Sequence, residues 1–118
     1  MEKRIYVITI FIFLSFSNNI FAQTQLEMNQ TAQKKYEKAD KELNKVYSVL
    51  IKSLDKTETQ ILIKAQKCWI KFRDSHCEFE SLQYEGGSIQ PLIYSTCLEE
   101  LTKKRIAELN KSIKDRDN

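Results

Sequence analysis

Ala32, Tyr36, Ala39, Leu43, Val46, Leu50 and Leu54 recur at steps of four and three along the chain. That spacing keeps side chains on one side of an α-helix with 3.6 residues per turn, so it predicts a long amphipathic first helix. Upstream, Thr24-Gln25-Leu26-Glu27 has the spacing of a capping box, in which the hydroxyl and the carboxylate satisfy exposed backbone amides. The period lapses near Leu54-Asp55-Lys56, and Thr57-Glu58-Thr59-Gln60 repeats the capping pattern at the start of a second helix. There Leu62, Ala65, Trp69, Phe72, His76 and Phe79 step by three and four, predicting an inward face rich in aromatic rings. Glu85 followed by Gly86-Gly87 predicts the stop, because glycine accepts the left-handed backbone that closes a helix. Ser88 to Pro91 connects to a third helix carrying Tyr94, Cys97, Leu98, Leu101, Ile106, Leu109 and Ile113, with a polar, frayed tail from about residue 114. Pro91 suits the first turn, where its missing amide has no partner to lose.

Beyond these helices the chain offers little turn chemistry: two adjacent glycines and one proline. A sheet protein of this size needs more. The expected fold is therefore all-α, a three-helix antiparallel bundle with a long first helix, stapled by one disulfide.

The beginning of the chain follows a different rule. Glu2, Lys3 and Arg4 precede the apolar run Ile5 to Phe16; a polar Ser17-Asn18-Asn19 step then leads to Ile20-Phe21-Ala22. This is the layout of a secretory signal peptide. A spanning helix needs roughly 20 apolar residues, and this run falls short of that. Residues 1–22 are expected to be removed, leaving residues 23–118 as a single helical domain in the periplasm or outside the cell, with no membrane attachment.

The formal net charge of the whole chain is +3. Losing Lys3, Arg4 and Glu2 with the leader brings it to +2. Lys and Glu alternate along the helices as on a solvated surface, and no basic run interleaved with aromatics points to nucleic acid. Nor does so mild a balance draw a cationic partner from a distance.

Export makes a disulfide plausible, and there are three cysteines, Cys68, Cys77 and Cys97. Cys68 and Cys77 are nine residues apart in one predicted helix, so roughly 13 Å separates their backbones, beyond the reach of about 7 Å that a bridge allows. The preferred pair is Cys77 with Cys97 across the Gly-Gly turn, leaving Cys68 as a free thiol. Cys68 with Cys97 is the less favoured rival.

Catalysis finds no foothold in these residues. The one histidine, His76, lies between Phe72 and Phe79, and Cys77 beside it points elsewhere around the helix. Neither a metal-ligand set nor a phosphate-binding loop is spelled out, so no cofactor is expected. The polar residues that stand out are Asp40, Asn44, Arg73, Asp74, Thr102 and Arg105, beside the apolar stripes. They are read as an interhelical network in which Arg73 or Arg105 meets Asp40, since a guanidinium and a carboxylate can share two parallel hydrogen bonds. Tyr84, Ile89, Leu92 and Ile93 surround the Gly-Gly loop and form the candidate partner surface.

Several of these features occur together in one known group. Glu27-Met28-Asn29-Gln30, then Ala39-Asp40-Lys41-Glu42-Leu43-Asn44 with Tyr47, are followed by Ala65-Gln66 with Trp69, and Phe72-Arg73-Asp74 with Cys77. Gly86-Gly87-Ser88-Ile89, Cys97, Leu101-Thr102 and Arg105 complete the order. From about Glu27 to Leu109 the sequence resembles the LprI-like lysozyme-inhibitor N-terminal domain family of small exported bacterial proteins. The resemblance implies a helical, disulfide-bearing exported domain, and for some members the binding and inhibition of lysozyme. The function expected is thus non-catalytic binding of a protein partner, lysozyme in the first instance. The alternative is a structural or envelope-stress interaction module that self-associates or binds an envelope partner.

Overall fold

A computed structural model describes the backbone of residues 2–117 and the side chains of residues 20–117. Three helices make up the fold: α1 (Glu2–Lys52), α2 (Lys56–Leu82) and α3 (Gln90–Arg116). No strand occurs among the described residues. Short turns join the helices, so α2 runs back along α1, and α3 returns parallel to α1. Most of the expected leader, residues 1–19, lies outside the described side chains.

The helix boundaries depart from the capping pattern read in the sequence. Around Thr24 the helix is continuous, so no orphan amide awaits a cap there; the Thr24 hydroxyl donates instead to the Ile20 carbonyl, 3.0 Å away. At the start of α2 the cap is Asp55 rather than Thr57. Its carboxylate accepts from the Glu58 amide at 2.8 Å, and the Glu58 carboxylate accepts from the Asp55 amide at 3.1 Å. Asp55 has the extended backbone a cap needs, whereas Thr57 is already inside the helix. α2 ends at Leu82 in a series of tight turns, with Gly86 at φ +76°. α3 continues to Arg116, past the expected start of a frayed tail, and the Arg116 guanidinium reaches Glu58 of α2 at 3.4 Å.

The bundle is layered along its length. At the end where α1 turns into α2, Leu43, Val46, Leu50 and Leu109 form a buried cluster, with Tyr47, Leu54, Leu62, Trp69, Ile106 and Ile113 packed around it. Each such aliphatic side chain contributes about 1.5–3 kcal/mol on leaving water. The middle layer is polar and centres on Arg73. At the far end Cys77 and Cys97 are joined, with Cα atoms 5.5 Å apart and a sequence separation of 20. Closing a loop of that size stabilises a fold by about 3 kcal/mol in the chain-entropy model. Cys68 is the free thiol, and it is exposed.

α1 and α3 bury the stripes their periodicity predicts; in α2 the predicted face is displaced. Leu62 and Trp69 turn inward, but so do Gln66, Arg73, Cys77 and Ser81, while Ala65, Phe72 and Phe79 face solvent. His76, half-buried, stacks on exposed Phe72 with ring centroids 5.4 Å apart. Polar side chains occupy the inward face because they satisfy one another there.

Candidate functional site

Arg73 is the centre of the polar layer. Its side chain is only 7 % exposed. Asp74, the next residue along α2, takes the Nε hydrogen at 2.9 Å and lies equally close to a terminal nitrogen. The other terminal nitrogen donates to Asp40 of α1 and to the Thr102 hydroxyl of α3, both at 3.4 Å. One guanidinium therefore links all three helices. The short contact is local, and the two that cross between helices are long. Burial alone would lower the Arg73 pKa, but the Asp74 hydrogen bond and the charges of Tyr36, Asp74 and Asp40 outweigh it, and the net shift is upward.

Aromatic rings complete the layer. The Arg73 guanidinium lies 5.4 Å from the Tyr36 ring centre and 5.2 Å from that of Trp69. Arg105 approaches Trp69 as well, at 5.8 Å. Its Nε donates to Gln66 at 3.0 Å, and a terminal nitrogen donates to Glu108 at 2.8 Å. Long and flat side chains thus fill the space between α1 and α2.

The structure brings together four of the six polar residues singled out in the sequence: Arg73, Asp74, Asp40 and Thr102. Arg105 joins them only through Trp69, and meets Gln66 rather than Asp40. Asn44 is exposed, and its carbonyl accepts from Ser48. Gln66, Tyr36 and Trp69 belong to the layer but were not singled out as polar-network residues. The signal for Gln66 was its four- and three-residue spacing from Leu62 and Trp69, which places it on the inward face.

At the disulfide end, the turn after α2 is tied back to α1. The Asn29 side-chain amide donates to the Ser88 carbonyl at 3.0 Å, and the Ser95 hydroxyl donates to Gln33 at 3.1 Å. Tyr84 and Ile89 are exposed on this anchored turn. Leu92 and Ile93 are half-buried in the first turns of α3. Leu92 reaches a shallow groove toward α1 beside Met28 and Ala32. Both leucine and isoleucine also border a groove of about 570 Å³ between α2 and α3, where Glu80 and Glu100 lie. Of the four candidate contact residues, Tyr84 and Ile89 are exposed on the turn, and Leu92 and Ile93 share the groove between α2 and α3.

The small net charge conceals a segregation. From Asp74 to Thr102 the chain contains no Lys or Arg, while Asp74, Glu78, Glu80, Glu85, Glu99 and Glu100 all fall in that span. The disulfide-closed half of the α2–α3 hairpin is acidic and the remainder is basic. Among the described residues no cluster of His, Cys, Asp and Glu is placed to hold a metal ion, and no helix is long and apolar enough to cross a membrane.

Comparison with known proteins gives a consistent family. The family described as Lysozyme inhibitor LprI matches residues 17–109. An uncharacterised protein of Rhizobium meliloti (strain 1021) is 36 % identical over 110 residues, covering 82 % of this chain and 79 % of that protein. No solved structure matches.

Proposed function

The chain belongs to the LprI lysozyme-inhibitor family, and from that premise we propose that it is an exported, non-catalytic protein that inhibits a lysozyme by binding it directly. The family match over residues 17–109 carries this reading. Cleavage of the leader after Ala22 is compatible with the packing: Ala32 is the first buried residue among those described, and the Asn29 clasp lies beyond the cut. The processed protein acts in the periplasm or outside the cell.

The anchored turn is the contact surface this reading favours. Tyr84 and Ile89 are exposed there, on backbone fixed by the disulfide on one side and by Asn29 on the other. A rigid loop loses little freedom on binding, and a tyrosine is a strong interface anchor. Lysozymes are commonly cationic, so the acidic half of the hairpin steers the encounter toward this end. Inhibition follows from occupying the enzyme's surface and needs no chemistry from the inhibitor.

A cell-wall clearance assay tests the proposal, using protein purified after expression of the full chain in an exporting bacterium. Clearance should slow with increasing protein and stop responding once the enzyme is saturated. Unchanged clearance at molar excess, by both animal and phage-type lysozymes, removes the proposal.

A further inference from the structure

The outward face of α2 carries a second apolar stripe that the bundle leaves uncovered. Ile61, Ala65, Cys68, Phe72, Ser75, Phe79 and Leu82 alternate at steps of four and three over three heptads, and every one is exposed. Ile61, Phe72, Phe79 and Leu82 are 65, 56, 69 and 49 % exposed, on the order of 500 Å² of largely apolar surface, the size of the largest apolar patch on a typical monomer, which often marks a contact site. A strict heptad seam is the pattern of a helix that packs against another helix along its length.

The charges beside this seam identify the partner. The first half of α2 holds Lys56, Lys64 and Lys67 with one acid, Glu58; Lys71 stands just past the middle, and the rest of the helix with the turn after it holds Asp74, Glu78, Glu80 and Glu85. Of the two bases past the middle, Lys71 is exposed next to the centre of the helix and Arg73 is turned into the bundle. A helix that is basic at one end and acidic at the other is complementary to itself when two copies run in opposite directions. It repels itself when they run the same way.

We infer that two copies of this chain pair through α2, antiparallel, about a two-fold axis near Ile70. In this register Phe79 meets Ile61 of the second copy, Phe72 meets Cys68, and Ser75 meets Ala65, so large side chains lie against medium ones and small against small. Lys64 flanks the seam opposite Glu78 of the second copy. The seam matched in this register, Ile61 to Phe79, is about 27 Å long, and its flanks supply the rest of the roughly 800 Å² that each partner contributes to a stable complex. The contact is isologous, so it closes at two copies. The anchored turn and Tyr84 are not part of the seam, and this pairing is independent of lysozyme binding.

Sedimentation equilibrium on the exported protein carrying Cys68→Ala, which excludes an adventitious bridge between copies, tests the inference. It should show a monomer–dimer equilibrium, with Phe72→Asp leaving monomer and a circular dichroism spectrum unchanged. Lys64→Glu and Glu78→Lys should each weaken association about tenfold, and the two together should restore it, as a cross-copy charge pair requires. A monomer at about 100 μM, or a double swap no better than either single one, overturns the pairing.

Discussion

The indole of Trp69 lies under the guanidinium of Arg73, with 5.2 Å from ring centre to Cζ. Arg105 approaches the same ring at 5.8 Å. The tryptophan is thus shared by two cations, one from its own helix and one from α3, at the level where α1 and α2 are held apart by side chains. A cation over an aromatic face is attracted by the ring quadrupole, most strongly where water is excluded. Arg73, rather than any apolar residue, therefore organises the middle of the bundle.

Removing that arginine should cost stability more than removing its carboxylate partner on α1. Arg73→Gln loses the ring contacts and the Asp74 bond, and the expected loss is about 2–3 kcal/mol. Asp40→Asn should cost less than about 1 kcal/mol, because its contact is long and the carboxylate is 40 % exposed. Urea denaturation of both variants checks this order. If Arg73→Gln melts like the parent but no longer binds its partner, the layer serves recognition and not structure.

The disulfide and the free thiol should behave oppositely. Replacing Cys77 and Cys97 together with Ala should lower unfolding stability by about 3 kcal/mol. Cys68→Ser, at an exposed position, should change the unfolding of the monomer by less than about 0.5 kcal/mol. Chemical denaturation with and without reductant distinguishes the two.

The capping assignment at the start of α2 can be tested directly. Asp55→Ala removes an acceptor for the Glu58 amide and should cost about 1 kcal/mol. Thr57→Ala, one turn position inside the helix, should leave the midpoint almost unchanged. The reverse result would restore the cap read in the sequence.

Alkaline stability should depend on two phenols. Burial raises the pKa of Tyr36 above 10.0, against the lowering effect of Arg73, and burial likewise raises Tyr94, helped by Asp74. The folded state thus holds both protons more tightly than the unfolded chain. Their contribution is complete below pH 10.0 and is lost as pH rises from there through the folded-state values. Denaturation midpoints measured from pH 8 to 11 should fall above about pH 10, and Tyr36→Phe should flatten the decline.

How far the sequence could be read depended on which helix was being read. α1 and α3 hide apolar side chains, so Leu43, Val46, Leu50, Leu98 and Leu109 mark their inward faces without ambiguity. Helix rise forbids Cys68 with Cys77, which narrowed the bridge to Cys97 with either of the other two and favoured Cys77, the one formed. α2 has apolar residues on two faces. Hydropathy favours Phe72 and Phe79 over Gln66 and Arg73, yet the latter point inward because Arg105, Asp74, Asp40 and Thr102 satisfy them. That satisfaction depends on side chains distant in sequence, which periodicity within one helix does not contain. The caps failed for a related reason: Thr24 has cap spacing, but the chain before it is already helical. In the candidate site, the sequence left either Arg73 or Arg105 to meet Asp40; the structure gives that contact to Arg73, with Arg105 on Gln66 and Asn44 exposed. The charge segregation is present in the sequence and is lost only when it is summed.

Calorimetric titration of a cationic animal lysozyme into the exported protein decides whether it binds the enzyme, with Tyr84→Ser and Ile89→Ser compared alongside. Saturable binding at a fixed stoichiometry, weakened by either substitution while the helical spectrum is retained, is the predicted result. No heat of binding and no retention of the enzyme by the immobilised protein, with animal and phage-type lysozymes alike, would contradict it.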